Sequence, residues 1–238
     1  MKQENYIRGM IMIILSAFFF ACMNVSVRLA GDLPSVQKCF FRNLVGAFFA
    51  AIILIKNHTA PKVEKTQWGS LFLRCAFGTL GILCNFYAID HLLVADASIL
   101  NKLSPFFAII FSFLLLKEKI KPAQAMCVIL AFVGCLFVVK PGFENAHLIP
   151  ALIGVCGGLG AGIAYTMVRK MGTHGVKGPV IVFYFSCFSC IIVIPWIVFH
   201  YQPMSLRQLL TLLLAGLFAA GGQFTITAAY TYAPAGKI

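Results

Sequence analysis

An all-α polytopic membrane protein is the fold class this sequence predicts, on three observations. Of its 238 residues 61% are hydrophobic and 11% charged, where a soluble domain is about half apolar and about a quarter charged. Such a surplus has no place in a soluble core. The apolar residues fall in runs of roughly twenty, the length of a bilayer span, separated by short segments that hold most of the cations. The chain also repeats itself. Gly78–Leu100 lies on Gly216–Ile238 without a gap, with Asn85 on Gln223, Phe86 on Phe224 and Ala95 on Ala233. That period is too long for a solenoid and matches a multi-helix membrane unit.

The spans follow in order. Lys2 and Arg8 precede an apolar run from about Gly9 to Ala30, too long for a signal-peptide core and without a small-residue cleavage site after it. The turn Gly31-Asp32-Leu33-Pro34-Ser35 leads to helix two, about Val36 to Ile55. A loop with Lys56, Lys62 and Lys65 ends at Trp68, an interfacial anchor for helix three, which runs to about Asp90. After a turn at His91–Val94, helix four covers about Ala95 to Leu116, kinked at Pro105. Lys117, Lys119 and Lys121 precede helix five, about Pro122 to Val139. A turn starting at Lys140-Pro-Gly reaches Pro150, and helix six spans about Ala151 to Val168. Arg169, Lys170 and Lys177 follow. Helices seven and eight span about Pro179 to His200 and Leu206 to Thr231.

Cations set the orientation. Lys2, Arg8, Lys56, Lys62, Lys65, Lys117, Lys119, Lys121, Arg169, Lys170 and Lys177 fall on one side, against Lys140 and Arg207 on the other. The excess marks the cytoplasmic face, so the expected location is the cytoplasmic membrane with the N-terminus inside. The net charge of +12 is thereby explained without nucleic acid, for which no basic stripe interleaved with aromatics is present.

Helix one also matches helix six: Ala17 with Gly158, Ala21 with Gly162, Asn24 with Tyr165, Arg28 with Arg169. Five helices separate the copies, and an odd number reverses direction in the bilayer. The expectation is an inverted repeat of two five-helix halves, residues 1–141 and 142–238, with a solute site between them. Ile238 matches Leu100, four residues before Ser104-Pro105, so two further helices of a ten-helix pattern are expected beyond this sequence.

Polar residues inside apolar runs are the site candidates. Asn24 lies on a stripe Ala17, Ala21, Asn24, Arg28, spaced 4, 3, 4 along one helical face. Asn85 follows Gly78 and Gly81, and Gln223 follows Gly216 and Ala220; each pairs small residues with an amide. Tyr87, Tyr165 and Asn101 are further solute-contact candidates, the last on a face with Ser98 and Pro105 near the outer end of helix four. Arg42 and Lys102 are charge or gate candidates. Arg42 either neutralises an anion or snorkels to the headgroups, the reading preferred here. Each amide is also readable as glue between helices.

Other patterns have plainer readings. Gly154, Gly158 and Gly162 form GxxxGxxxG, a close-packing face. Cys187 and Cys190 spell CxxC inside an apolar run and read as helix packing, not as a redox or metal site. Asp90 and Asp96 sit near outer helix ends, and Glu4, Asp32, Glu64, Glu118 and Glu144 in loops. With no acid at midplane, facilitated movement or exchange fits better than carboxylate-based proton coupling. No HExxH, GxSxG or Walker loop occurs, so no enzyme, metal or cofactor is expected.

Phe41-Arg-Asn43, Phe86-Tyr-Ala-Ile89, Ala95-Asp-Ala-Ser98, Ser104-Pro105 and Leu116-Lys-Glu-Lys119, taken in this order with the repeat, resemble the EamA-type transporters of the drug/metabolite transporter superfamily. The resemblance implies ten helices as two inverted repeats. It also implies alternating-access, non-ATP carriage of small solutes such as amino acids, nucleotide-linked compounds, S-adenosylmethionine-like metabolites or drugs. Two other readings stand beside it: a truncated, non-transporting protein dependent on partner helices, and an intramembrane enzyme.

Overall fold

The computed structural model describes residues 6–118, 121–139 and 148–237. The turn expected at Lys140-Pro-Gly, the boundary at 141/142, Lys2, Lys119, Glu4, Glu144 and the match of Ile238 with Leu100 fall outside them. Nine α-helices occur among the described residues: α1 (Tyr6–Leu29), α2 (Ser35–Lys56), α3 (Trp68–His91), α4 (Val94–Asn101), α5 (Ser104–Leu116), α6 (Pro122–Val139), α7 (Leu148–Thr173), α8 (Gly178–His200) and α9 (Leu206–Tyr232). Seven spans are long and apolar enough to cross a membrane, with α4 and α5 counting together as one; Pro122–Cys135 in α6 is a shorter apolar helix. Large apolar side chains such as Phe18, Phe48, Phe72, Ile191 and Leu217 remain exposed on the outside. In water such a surface would aggregate; in a bilayer it is the lipid-facing side. The chain is an all-helical, multi-pass membrane protein.

The most extensive packings join α1 to α9 and α3 to α7, followed by α2 with α8. Glycine makes the α3–α7 contact possible. A Cβ on Gly160 would stand 2.9 Å from the Phe77 carbonyl oxygen, and one on Gly81 would stand 3.1 Å from the Gly157 carbonyl oxygen. Gly158 and Gly162 bring α7 equally close to the Leu100 and Ser104 carbonyls. Gly158 and Gly162 of the GxxxGxxxG run therefore approach backbone directly, as small residues allow, while Gly154 meets the side chains of Ala88 and Leu100.

Helix four differs from expectation. It is broken rather than kinked, with Lys102 and Leu103 between α4 and α5. Pro105 sits in the first turn of α5, where a missing N–H is tolerated. It cannot donate to the carbonyl of Asn101, four residues earlier. The Leu103 N–H bonds instead to Leu100 O at 3.2 Å, in a tighter turn. Asn101 thus ends α4 and Lys102 opens the interruption, about a third of the way along the span.

Candidate functional site

Helical spacing on four elements brings the predicted amides together. Asn24 on α1 is 4% exposed and donates to Ser98 Oγ on α4 at 3.1 Å. Asn85 on α3 donates to Asn24 Oδ1 at 3.4 Å, while its own Oδ1 is buried without a partner. Gln223 on α9 donates to Thr227 Oγ1 at 3.3 Å. Asn85 and Gln223, matched by the repeat, line one cavity; Asn24 and Tyr165, also matched, line a second. Asn101, Tyr165 and Phe20 border both. The two cavities are thus adjacent, about 50 Å³ and 130 Å³. Lys102 is exposed and borders the second. Tyr165 stacks on Tyr230 with ring centroids 5.0 Å apart.

Tyr87 is not brought to either cavity. Its ring stacks on His91 at 4.0 Å, one turn further along α3. Two residues past Asn85 is about 200° around a helix, so the two side chains point in nearly opposite directions.

Arg42 corrects the snorkelling expectation. It is 5% exposed and turned into the bundle, donating to Asn43 Oδ1 at 2.8 Å and to Gln223 Oε1 at 3.5 Å. Snorkelling requires a helix face directed at lipid. Lys38 and Gly46, one turn to either side of Arg42, are buried too, and a Cβ on Gly46 would stand 2.9 Å from Ser186 Oγ on α8. That stripe faces protein.

One site residue was missed. Arg74 on α3 is 1% exposed and lies over the Phe185 ring of α8, its guanidinium carbon 3.9 Å from the centroid. Arg42 approaches the same ring at 5.9 Å. Both arginines line the first cavity. The signal was available: Arg74, Gly78, Gly81 and Asn85 are spaced 4, 3, 4, as in the stripe that singles out Asn24. Six residues after Trp68, Arg74 reads as a loop-proximal cation.

The C-terminal ends of α1 and α3 and the N-terminal end of α2 are tied by a separate polar cluster. Lys38 Nζ meets Asp90 Oδ1 at 2.5 Å, Ser35 donates to Asp90 Oδ2 at 2.9 Å, and Arg28 donates to the carbonyls of Ile89 and Asp90 at 2.9 Å each. Near the other end, Arg169 bonds Glu118 at 3.2 Å, and a larger vestibule of about 530 Å³ opens between α2, α8 and α9, bordered by Leu54, Lys177 and Phe224.

Comparison with known proteins decides what this architecture belongs to. The EamA-like transporter family model matches residues 7–140, more than half of the chain. The chain belongs to the EamA-like transporter family. This EamA-like chain is 32% identical to the pseudopaline exporter CntI of Pseudomonas aeruginosa, over 94% of its own length and 78% of the exporter's. It is 25% identical to a riboflavin transporter of Brucella anthropi, over 91% and 78% of the two chains. Human solute carrier family 35 member G1 matches at 26% identity over 97% and 67%. A solved crystal structure of 13% identity superposes with a TM-score of 0.72, covering 94% of this chain and 79% of that one; that likeness concerns the fold alone. The EamA-like chain is a membrane transporter.

Proposed function

We propose that this EamA-like protein is a secondary transporter that moves small organic solutes across the cytoplasmic membrane by alternating access, with its N-terminus cytoplasmic. The observation that carries the reading is the buried polar cluster of Asn24, Asn85, Arg42 and Gln223. The Arg42–Gln223 contact joins α2 of the first half to α9 of the second, the Asn85–Asn24 contact joins α3 to α1, and Arg42, Asn85 and Gln223 line one cavity. A buried amide with an unpartnered oxygen, as at Asn85, is expensive in an apolar interior unless a solute completes it.

The inverted repeat is supported by the packing. Exchanging α1 with α7 and α3 with α9, as the sequence match requires, turns the α1–α9 contact into the α7–α3 contact, and these are the two most extensive in the protein. Neither cavity has a carboxylate among its described lining residues, which favours facilitated movement or exchange. Candidate cargo classes remain those implied by the family, with the relatives' pseudopaline and riboflavin as further leads.

The test is uptake into proteoliposomes holding the purified full chain, offered a defined mixture of riboflavin, amino acids, organic acids and nucleotides and read by mass spectrometry. Asn85→Ala and Gln223→Ala each leave an orphaned partner, about 1–3 kcal/mol, and should slow uptake of the transported component at least fivefold. Unchanged uptake in both variants would refute this placement of the site.

A further inference from the structure

Arg42 and Arg74 are the feature that transport by the amides alone leaves unused. Arg74 is 1% exposed, and no hydrogen bond or ion pair reaches it from the described residues; its Nε is buried and unpartnered. Its guanidinium carbon stands 3.9 Å from the centre of the Phe185 ring. Arg42 is bonded only to the neutral amides Asn43 and Gln223, and its Nε is unpartnered too. The acids of the described chain lie elsewhere: Asp90 is engaged by Lys38 and Glu118 by Arg169, while Asp32, Glu64 and Asp96 line neither cavity.

Two like charges on one aromatic ring, without a counter-charge, are an unfavourable way to build a helix bundle. A desolvated cation loses its hydration, and a cation–π contact returns only part of that loss. Gly78 shows that the space is kept for Arg74. A Cβ there would stand 2.8 Å from Phe185 Cε2 and would also collide with the Arg74 guanidinium. A guanidinium offers five donors in a planar fork suited to two oxygens of one anion.

Resting on the transporter reading above, we propose that the solute is an organic anion whose carboxylate or phosphate group docks between Arg42 and Arg74. The first cavity, about 50 Å³, is lined by both arginines and has room for a small polar group, since about 10–15 Å³ of such space holds a water. The rest of the solute extends past Asn101 and Tyr165 into the second cavity, where Lys102 offers a further positive charge.

The experiment is thermal unfolding of the purified full chain in detergent at constant ionic strength, with succinate, citrate, inorganic phosphate and glycerol phosphate set against lysine and riboflavin. One anion series raises the melting temperature with saturation, and which series does so separates carboxylate from phosphate. The shift disappears in Arg74→Gln and is kept in Arg207→Gln, an exposed control. Without anion, Arg74→Met melts above wild type; a merely structural arginine would give the reverse. If Arg74→Gln does not fold, Arg74→Lys keeps the charge without the fork and binds at least tenfold more weakly; equal affinity overturns the proposal. So does an anion shift that survives Arg74→Gln, or no shift from any anion.

Uptake by the same protein separates this proposal from the reading on which it rests. Asn85-dependent uptake of a neutral solute that Arg74→Gln leaves intact removes the anion site and keeps the transporter. Arg74-dependent anion binding without flux of any solute keeps the site and removes transport.

Discussion

Asp90→Asn tests how the end of the bundle at the α1–α2 turn is held. Lys38 is fully shielded, Asp90 retains 21% side-chain exposure, and their atoms meet at 2.5 Å. The substitution preserves shape and the Ser35 contact but leaves the Lys38 charge unpartnered in a buried place. Removing one member of a buried pair costs about 3–5 kcal/mol, and the partial hydration of Asp90 puts this case near 3 kcal/mol. The double variant Lys38→Met/Asp90→Asn removes both charges and should lie within about 1 kcal/mol of wild type. Arg28 bonds backbone carbonyls and is untouched in either. The expected coupling between the positions is therefore about 2 kcal/mol or more. At about 2–4 °C per kcal/mol for a chain of this size, Asp90→Asn should melt roughly 6–12 °C below wild type in detergent, with Lys38→Met restoring most of it. If single and double variants melt together, the pair does not hold this end closed and the reasoning fails.

Two further outcomes follow from packing and orientation. Gly160→Val places a methyl-bearing carbon against the Phe77 carbonyl, 2.9 Å from an ideal Cβ; overpacking of about 1–3 kcal/mol should lower the melting temperature by several degrees, whereas Gly69→Val, where nothing stands within 4 Å, should not. With the N-terminus inside, Pro203→Cys should react with a membrane-impermeant maleimide on intact cells and Asn57→Cys should react only after lysis, above the background of the native cysteines; the opposite pattern reverses the orientation.

The spans were legible because a bilayer imposes one period and one length on every crossing segment. Boundaries of α2, α8 and α9 shift by only one residue from the runs read in the sequence. The amides were legible for a similar reason. A polar group in an apolar run on a small-residue stripe must face protein, and Asn24, Asn85 and Gln223 do. What stayed hidden was rotation. Arg42 could face lipid or protein, and the sign sits in its neighbours one turn away, Lys38 and Gly46, not in the arginine. Tyr87 shares a segment with Asn85 but not a face. The break at Lys102-Leu103 hinges on the proline's position in a new first turn instead of the middle of an old helix, which depends on the tertiary approach of Gly158 and Gly162 to the carbonyls there.

The distribution of charge bears on how such a carrier would be driven. At each end one shielded cation is paired with a protein acid, Lys38 with Asp90 and Arg169 with Glu118; in the middle Arg42 and Arg74 have no acid partner among the described residues. If an anion supplies that counter-charge, the loaded carrier buries one net positive charge with a monoanion and none with a dianion, whereas the empty one buries two cations. Reorienting the bundle around them is then slower without solute, by about tenfold for each 1.4 kcal/mol of added barrier. Return in the loaded form is the faster route, so exchange should outrun net movement. Proteoliposomes preloaded with the anion should take up labelled anion at least tenfold faster than empty ones, and Arg74→Met, which loses the anion's docking group, should lose uptake in both. Equal rates in loaded and empty vesicles would mean that the buried cations do not govern the rate-limiting step.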